Sequence, residues 1–286
     1  MKMSFDFNSQ LQEYIGLIDR RLEDYLQISY PEVIYESARY SIFSGGKRVR
    51  PAILLGVCDM LNGLRENALP FACALEMIHT YSLIHDDLPA LDNDDFRRDK
   101  PTNHIVFGED MALLAGDALL NRAYEVMSDF CINNNENSLH FLKSMSKIAS
   151  YAGITGMIGG QVMDVRLENS PATADEVAYI YKNKTSKLFM AAFGCGALVA
   201  GCGDNTVSIM EKIGFDLGLA FQLKDDFLDL EGDQKLGKAT YASVLGIDVA
   251  KKMHDDISVS AISSLLKFDN SAFMVSMAEN LLHRTR

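Results

Sequence analysis

The sequence predicts an all-α protein: one domain over residues 1–286, built as a bundle of long helices. Three observations carry this. Apolar residues recur at helical spacing through most of the chain. No alternating apolar–polar run of useful strand length is present, and no repeat or linker divides the sequence. The chain has 286 residues, 48% of them hydrophobic, enough for a large core.

The elements follow in order. Residues 7–26 carry Leu11, Ile15, Ile18 and Leu22 with charges between them, an amphipathic helix. Ser29, Pro31 and Glu32 mark the start of the next helix. Residues 51–61 and 68–88 are apolar on nearly every side and read as central, fully covered helices. Helices over 111–130 and 139–158 follow, joined by the polar connection CINNNENS. Ser170-Pro171 ends a further segment, and Thr173 with Glu176 forms a capping-box signature for the helix after it. Gly201 to Asn205 closes that helix, and 207–230 is another long one.

Composition narrows the function. The formal net charge is −12, from 39 acidic and 27 basic residues. That balance excludes a general nucleic-acid binder, which needs clustered Lys and Arg. Cys58, Cys73, Cys131, Cys195 and Cys202 are odd in number and lack CxxC spacing, so they read as reduced thiols of a cytoplasmic protein. No apolar leader opens the sequence, and the apolar stretch 188–201 is too short and Gly-rich for stable membrane insertion.

Two acidic clusters stand out. Asp86, Asp87 and Asp92 lie in HDDLPALDNDD; Asp225, Asp226 and Asp229 lie in FQLKDDFLDLEGD. On a helix Asp225 and Asp229 share a face, with Gln222 one turn earlier. Asp86 and Asp92 are about 240° apart on an ideal helix. Pro89 between them predicts a kink or a helix end that swings Asp92 back. His79 lies on nearly the same stripe as Asp86, about 10 Å before it. Crowded carboxylates need cations, and hard oxygen ligands suit Mg²⁺, whose shell is completed by water and substrate phosphates. Either cluster alone also fits a solvated helix end. Each, however, directly follows an apolar helical run.

Cations are clustered too. Gly45-Gly46-Lys47-Arg48-Val49-Arg50-Pro51 combines a flexible Gly pair with three cations in four residues, suited to a diphosphate or to a charged surface. Arg97-Arg98 follows the first acidic cluster. Lys182, Lys184 and Lys187 form a third group, with Thr185 among them.

Together GGKRVRP, EMIHTYSLIHDDLPALDNDDFRR, KPTNH, LAGDALL, GMIGGQVMDV, the Lys184-Thr185 pair, FQLKDDFLD and KATYASVLG resemble, in the same order, the trans-isoprenyl diphosphate synthases, most closely the bacterial farnesyl diphosphate synthases. The match runs over nearly the whole chain. The resemblance implies helices around a deep cavity, a homodimer, and Mg²⁺, three ions with substrate bound. It implies that Asp86 and Asp92, with Asp87 beside them, bind two ions, and that Asp225, supported by Asp226 and Asp229, binds a third. Arg97, Lys184 and Lys238 then hold the allylic diphosphate. Lys47, Arg50, His79 and Arg98 hold isopentenyl diphosphate. Thr185 and Gln222 face the developing carbocation, with Gln161 and Asp164 lining the same region.

On this resemblance Tyr81, five residues before Asp86, forms the cavity floor, with the smaller Ser82 beside it. With the inserted Pro89-Ala90 this implies a farnesyl product, geranylgeranyl diphosphate being second. His79 also fits an ordinary core histidine, and Gln161 a helix-packing amide. The second cationic pocket argues against a terpene cyclase of the same fold; the intact Asp86, Asp92, Asp225 and Lys184 argue against a non-catalytic subunit. Three departures stand out. Asp99 replaces a Gly, and Ser186-Lys187 replaces Gly-Ala. The segment before KATY lacks roughly a dozen residues of a closing loop, either as a deletion or as residues absent from this sequence.

Overall fold

The computed structural model describes residues 5–134, 138–168, 170–228 and 239–284. Helix α1 (Phe7–Tyr25) is capped by Asp6, whose carboxylate accepts from the Asn8 and Ser9 amides. Then come α2 (Glu32–Ile42), α3 (Val49–Met60) and α4 (Arg65–Asp86). Helices α3 and α4 are buried along most of their length, as their apolar character on all sides predicts. Helix α5 (Asn103–Phe107) is short, and α6 (Glu109–Asn133) runs against α4.

The helix expected over 139–158 is two. α7 (Ser138–Ala152) stops, and α8 (Met157–Leu167) starts after a turn through Gly153 and Gly156. A Cβ at Gly156 would lie 2.0 Å from the Tyr151 carbonyl oxygen, so the sharp exit from α7 requires glycine there. The capping box forms as expected: Thr173 and Glu176 exchange side-chain and backbone bonds at the start of α9 (Ala174–Ile180).

α9 leads directly into a π-helical turn, Tyr181–Ser186, and then α10 (Lys187–Val199). α11 (Asp204–Leu228), α12 (Tyr241–Leu245), α13 (Ile247–Leu265) and α14 (Ala272–Leu282) complete the described chain. α10 is central, packed against α11, α7, α3 and α4.

One small departure from all-α is an antiparallel hairpin of β1 (Phe96–Arg97) and β2 (Lys100–Pro101), too short for alternation to reveal. Its turn residues Arg98 and Asp99 have φ of 55° and 61°. Two successive left-handed residues are what a tight two-residue hairpin turn requires. This gives the Gly-to-Asp departure at 99 a physical setting, since Asp tolerates that conformation better than most side chains.

The main core runs from Tyr14 of α1 to Leu282 of α14. A smaller cluster joins Val177, Ile180, Tyr181, Leu219, Leu223, Tyr241 and Ala250.

Candidate active site

The end of α4 builds the first acidic centre. Helical bonding stops at Asp86, and beyond Pro89 the chain folds back. The Asp92 amide donates to the Asp86 carbonyl at 2.8 Å, and the Asn93 amide to that of Leu88 at 3.2 Å. The reversal that Pro89 predicts therefore occurs, and Asp92 returns beside Asp86. Burial pushes the Asp86 carboxyl up to about 6; Lys184 opposes the rise and Asp92 adds to it.

Asp87 behaves differently. It is buried and turned toward the hairpin, where Arg97 Nε donates to it at 2.7 Å and Arg97 Nη2 lies at 2.5 Å. The charge of Asp87, expected beside the metal-binding pair, is matched here by Arg97. The Arg97 guanidinium, expected to face the allylic diphosphate, is anchored on Asp87.

The π turn carries the next residues. Lys184 Nζ donates to Asp164 of α8 at 2.5 Å. Burial works against its charge, but Asp164, Asp86 and Asp92 hold the ammonium above the ordinary lysine range. Thr185 Oγ1 donates to Gln222 Oε1 at 2.7 Å, and Gln222 Nε2 donates to Asp226 at 3.2 Å. Gln222 thus couples to Asp226, four residues on, rather than to Asp225. Asp226 is buried and also accepts from the Tyr181 hydroxyl. Asp225 is paired with Arg284 Nη2, near the end of the described chain. Asp229 and Lys238 lie outside the described residues.

Close packing holds this turn against α8. A Cβ on Gly160 would lie 2.2 Å from the Lys184 amide nitrogen, so glycine there permits the approach. The departure at 186 is absorbed: Ser186 is fully buried and its hydroxyl donates to the Tyr181 carbonyl at 3.0 Å. Lys187 lies over the Tyr151 ring, 4.3 Å from its centroid. Of the three lysines in this segment, only Lys184 lines the cavity.

A second cationic group sits at the start of α3. Arg50 Nη1 lies 3.3 Å from His79 Nε2, and the guanidinium stacks on Phe189, 5.0 Å from the ring centroid. Burial lowers Arg50 to about 10. Burial, then Arg50, Arg98 and Arg97, holds His79 well below the ordinary histidine range. Arg98 reaches back to donate to the Gly45 carbonyl. A Cβ on Gly46 would come within 2.6 Å of its Nη1, so the Gly pair makes room for this arginine.

The cations of residues 47–50 have different surroundings. Lys47 is exposed and lines an outer depression with Phe7, Leu11, Phe221 and Arg284, apart from Arg50 and His79. Arg48 is buried and ion-paired with Glu76 and Asp19, so it is withdrawn from any ligand.

Between these groups lies a cavity of about 500 Å³. Arg50, His79, Asp86 and Lys184 line it, with Thr185, Tyr81, Ser82 and the apolar Met157, Ile158, Val162 and Leu188. Tyr81 is 5% exposed, packs edge-on against His85, and has a buried hydroxyl without a partner among the described residues. Ser82 donates to the His79 carbonyl at 2.9 Å. Gln161 lines the cavity and both its amide atoms are buried without a partner among the described residues. That favours a cavity-facing role over the helix-packing one.

Sequence reasoning missed Tyr181, Arg284 and the π turn itself. The first two are chemically ordinary residues whose roles arise from contacts more than forty positions away. A π turn leaves no periodicity of its own in so short a segment.

The donor set fits a divalent cation that substrate helps to hold. Among the described residues no group of three His, Cys, Asp or Glu side chains is close enough to bind a metal alone. Asp86 and Asp92 are nevertheless brought together where the chain folds back, Asp92 exposed and Asp86 partly buried, and that burial raises the Asp86 carboxyl. Mg²⁺ commonly takes one or two carboxylates and fills its shell with water and phosphate oxygens.

Comparison with known proteins agrees with this geometry. The sequence pattern of the polyprenyl synthetase family matches residues 31–246. A geranylgeranyl diphosphate synthase of Cyanophora paradoxa is 39% identical over 297 residues, covering 99% of this chain and 98% of its own. That aligned length exceeds the 286 residues here, in keeping with a segment shorter than in the relative. A farnesyl diphosphate synthase of Geobacillus stearothermophilus is 40% identical over 254 residues, covering 85% of each chain. The crystal structure of an FPP/GFPP synthase from Zymomonas mobilis superposes with a TM-score of 0.89 at 32% identity, covering 96% of this chain and 98% of that one. With a family pattern over most of its length and near-complete relatives of the same fold, this chain belongs to the polyprenyl synthetase family and is a prenyltransferase of the trans-isoprenyl diphosphate synthase kind.

Proposed function

We propose that the protein condenses an allylic diphosphate, dimethylallyl or geranyl, head-to-tail with isopentenyl diphosphate, and that its main product is farnesyl diphosphate. One observation carries this reading: one largely apolar cavity is lined both by Asp86, with Asp92 folded back beside it, and Lys184, and by the Arg50–His79 pair. A site for one ionising diphosphate needs only the first set; a joining enzyme needs both.

Lys184, oriented by Asp164, and Arg97, oriented by Asp87, direct positive potential toward the allylic diphosphate, with Lys238 as a third cation. Arg50, His79 and Arg98 hold the diphosphate of isopentenyl diphosphate, with Lys47, exposed on the same segment, as a further cation once substrate draws its side chain in. Bound Mg²⁺, three ions held by Asp86 and Asp92 and by Asp225 with Asp226 and Asp229, would stabilise the departing diphosphate. The allylic carbon–oxygen bond breaks and its electron pair leaves with diphosphate. The apolar walls would exclude water from the allylic cation, and Thr185 Oγ1 and the Gln222 amide, bonded to one another, would stabilise it. The isopentenyl double bond supplies the pair for the new carbon–carbon bond, and the proton then lost passes to the released diphosphate.

Tyr81 supports the shorter product, because its ring narrows the cavity. The small Ser82 beside it and the geranylgeranyl relative favour a geranylgeranyl product as the second reading. The chain acts as one domain over 1–286, in a cytoplasmic homodimer that binds no nucleic acid. Leu113 and Leu114, about half exposed on α6, offer an apolar face for a second copy. Among the described residues no helix is long and apolar enough to cross a membrane.

The test is incubation with Mg²⁺, isopentenyl diphosphate and each allylic diphosphate, with product length read by chromatography. No condensation from any pair would end the reading. Tyr81→Ala should lengthen the product by at least one five-carbon unit; an unchanged product spectrum removes Tyr81 from this role.

A further inference from the structure

Arg48 sits between Lys47 and Arg50, two residues of the proposed second-diphosphate pocket, yet its side chain is only 4% exposed. Its guanidinium is committed inward. Nε donates to Asp19 Oδ1 of α1 at 2.8 Å, Nη1 to Glu76 Oε1 of α4 at 2.8 Å, and Nη2 to the Ile42 carbonyl at the end of α2 at 2.7 Å. Its backbone is left-handed, with φ of 46°. A bulky side chain holds that conformation only where its surroundings over-determine it. Three helices converging on one guanidinium do so here.

The clamp has a consequence for its neighbours. Glu76 and His79 are three residues apart on α4 and so share a face. Glu76 receives Arg48, and His79 receives Arg50. The two contacts are rungs between the start of α3 and one face of α4, so fixing the first sets the second. Glu76 is also the foremost stabilising charge for Arg50 and Arg98, whose guanidiniums burial disfavours.

We propose that the Arg48–Glu76 ion pair is a positioning pair for the second diphosphate. It holds Arg50 against His79 and sets affinity for isopentenyl diphosphate without touching it. The inference rests on that pocket being the isopentenyl diphosphate site.

The test is calorimetric titration of isopentenyl diphosphate into the full chain, with steady-state kinetics beside it, for the wild type, Glu76→Gln and the double variant Arg48→Met with Glu76→Leu. Glu76→Gln should weaken isopentenyl diphosphate binding on the order of tenfold, as a displaced but intact pocket does. The allylic KM and kcat should stay within about threefold, a KM-specific pattern. The double variant removes both charges together, which commonly restores the stability lost when one buried partner is removed. It should keep the weakened binding with wild-type thermal stability. If the double variant binds as the wild type does, the pair is only structural and the inference is overturned. Equal losses for both substrates overturn it as well. Should Glu76→Gln fail to fold, the double variant decides alone. If the wild type itself binds no isopentenyl diphosphate, the functional reading fails first, and this inference falls with it.

Discussion

His79 and Arg50 face one another at 3.3 Å inside the cavity wall, and that contact dictates a pH response. Burial, followed by Arg50, keeps the folded imidazole neutral to well below the ordinary range, whereas in the unfolded chain it takes up a proton near about 6.5. Below that pH the unfolded state therefore binds more protons than the folded one. The stability that follows from the depressed pKa is fully present above about 6.5 and is lost as pH falls below it. His79→Gln should flatten the acid limb of a plot of urea midpoint against pH. A limb of unchanged slope assigns the titration to another group. Spacing along α4 placed His79 on the stripe of Asp86, whereas Arg50 was picked out of the cationic run only by the family resemblance. The run itself did not separate Arg48 from its neighbours, because three cations in four residues look alike. Which one turns inward is decided by Asp19 and Glu76, on helices that sequence proximity does not connect to the loop.

The π turn Tyr181–Ser186 is the element on which the site depends most, since Lys184 and Thr185 project from it. Such turns are uncommon and concentrate at functional sites. Here the Ser186 hydroxyl bonds the Tyr181 carbonyl five residues back, the reach of a π turn. Ser186→Gly deletes that bond, worth about 1 kcal/mol, and adds a glycine to a helical position at a cost of up to ~1 kcal/mol. The variant should unfold about 1–2 kcal/mol more easily in urea. Its kcat should fall as well, because Lys184 is less firmly aimed. Equal or higher stability would show that the hydroxyl does not support the turn. The helices around this element were legible because apolar side chains repeat at their period. The break between α7 and α8 was not, because its cause is contact of Gly156 with the Tyr151 carbonyl, and glycine alone does not announce a turn. Pro89 was the opposite case: a residue that cannot continue a helix, placed between two aspartates, foretold their reunion.

At the scale of the molecule the site straddles two unequal apolar clusters. The main core includes α3, α4 and α10, which carry Arg50, His79 and Tyr81 and the apolar wall. The smaller cluster gathers the end of α9, Tyr181, part of α11 and Tyr241 of α12 around the π turn and the second acidic motif. The sequence showed both halves as motifs, but their meeting across one cavity depends on how α4, α8 and α11 pack, which no local pattern encodes. This division predicts unequal dynamics. Segments with fewer buried apolar contacts open at lower free energy than the global core. Backbone amides of α9 and α12 should therefore exchange with deuterium faster than those of α3, α4 and α10. On the proposed function, inorganic diphosphate with Mg²⁺ would bind only when the two halves are docked, so it should stabilise the docked state by mass action. Protection should then rise in α9 and α12 while amides of the main core change little. Uniform exchange across all five helices, or ligand protection confined to α3 and α4, would contradict a small cluster that opens on its own. Docking of the smaller cluster would then also regulate access: it brings Thr185 and Gln222 together, and the Tyr181–Asp226 bond ties the π turn to α11. Opening there separates Lys184 from the second acidic motif while the Arg50–His79 pair stays in place. Isopentenyl diphosphate affinity should accordingly survive conditions that already weaken binding of the allylic partner.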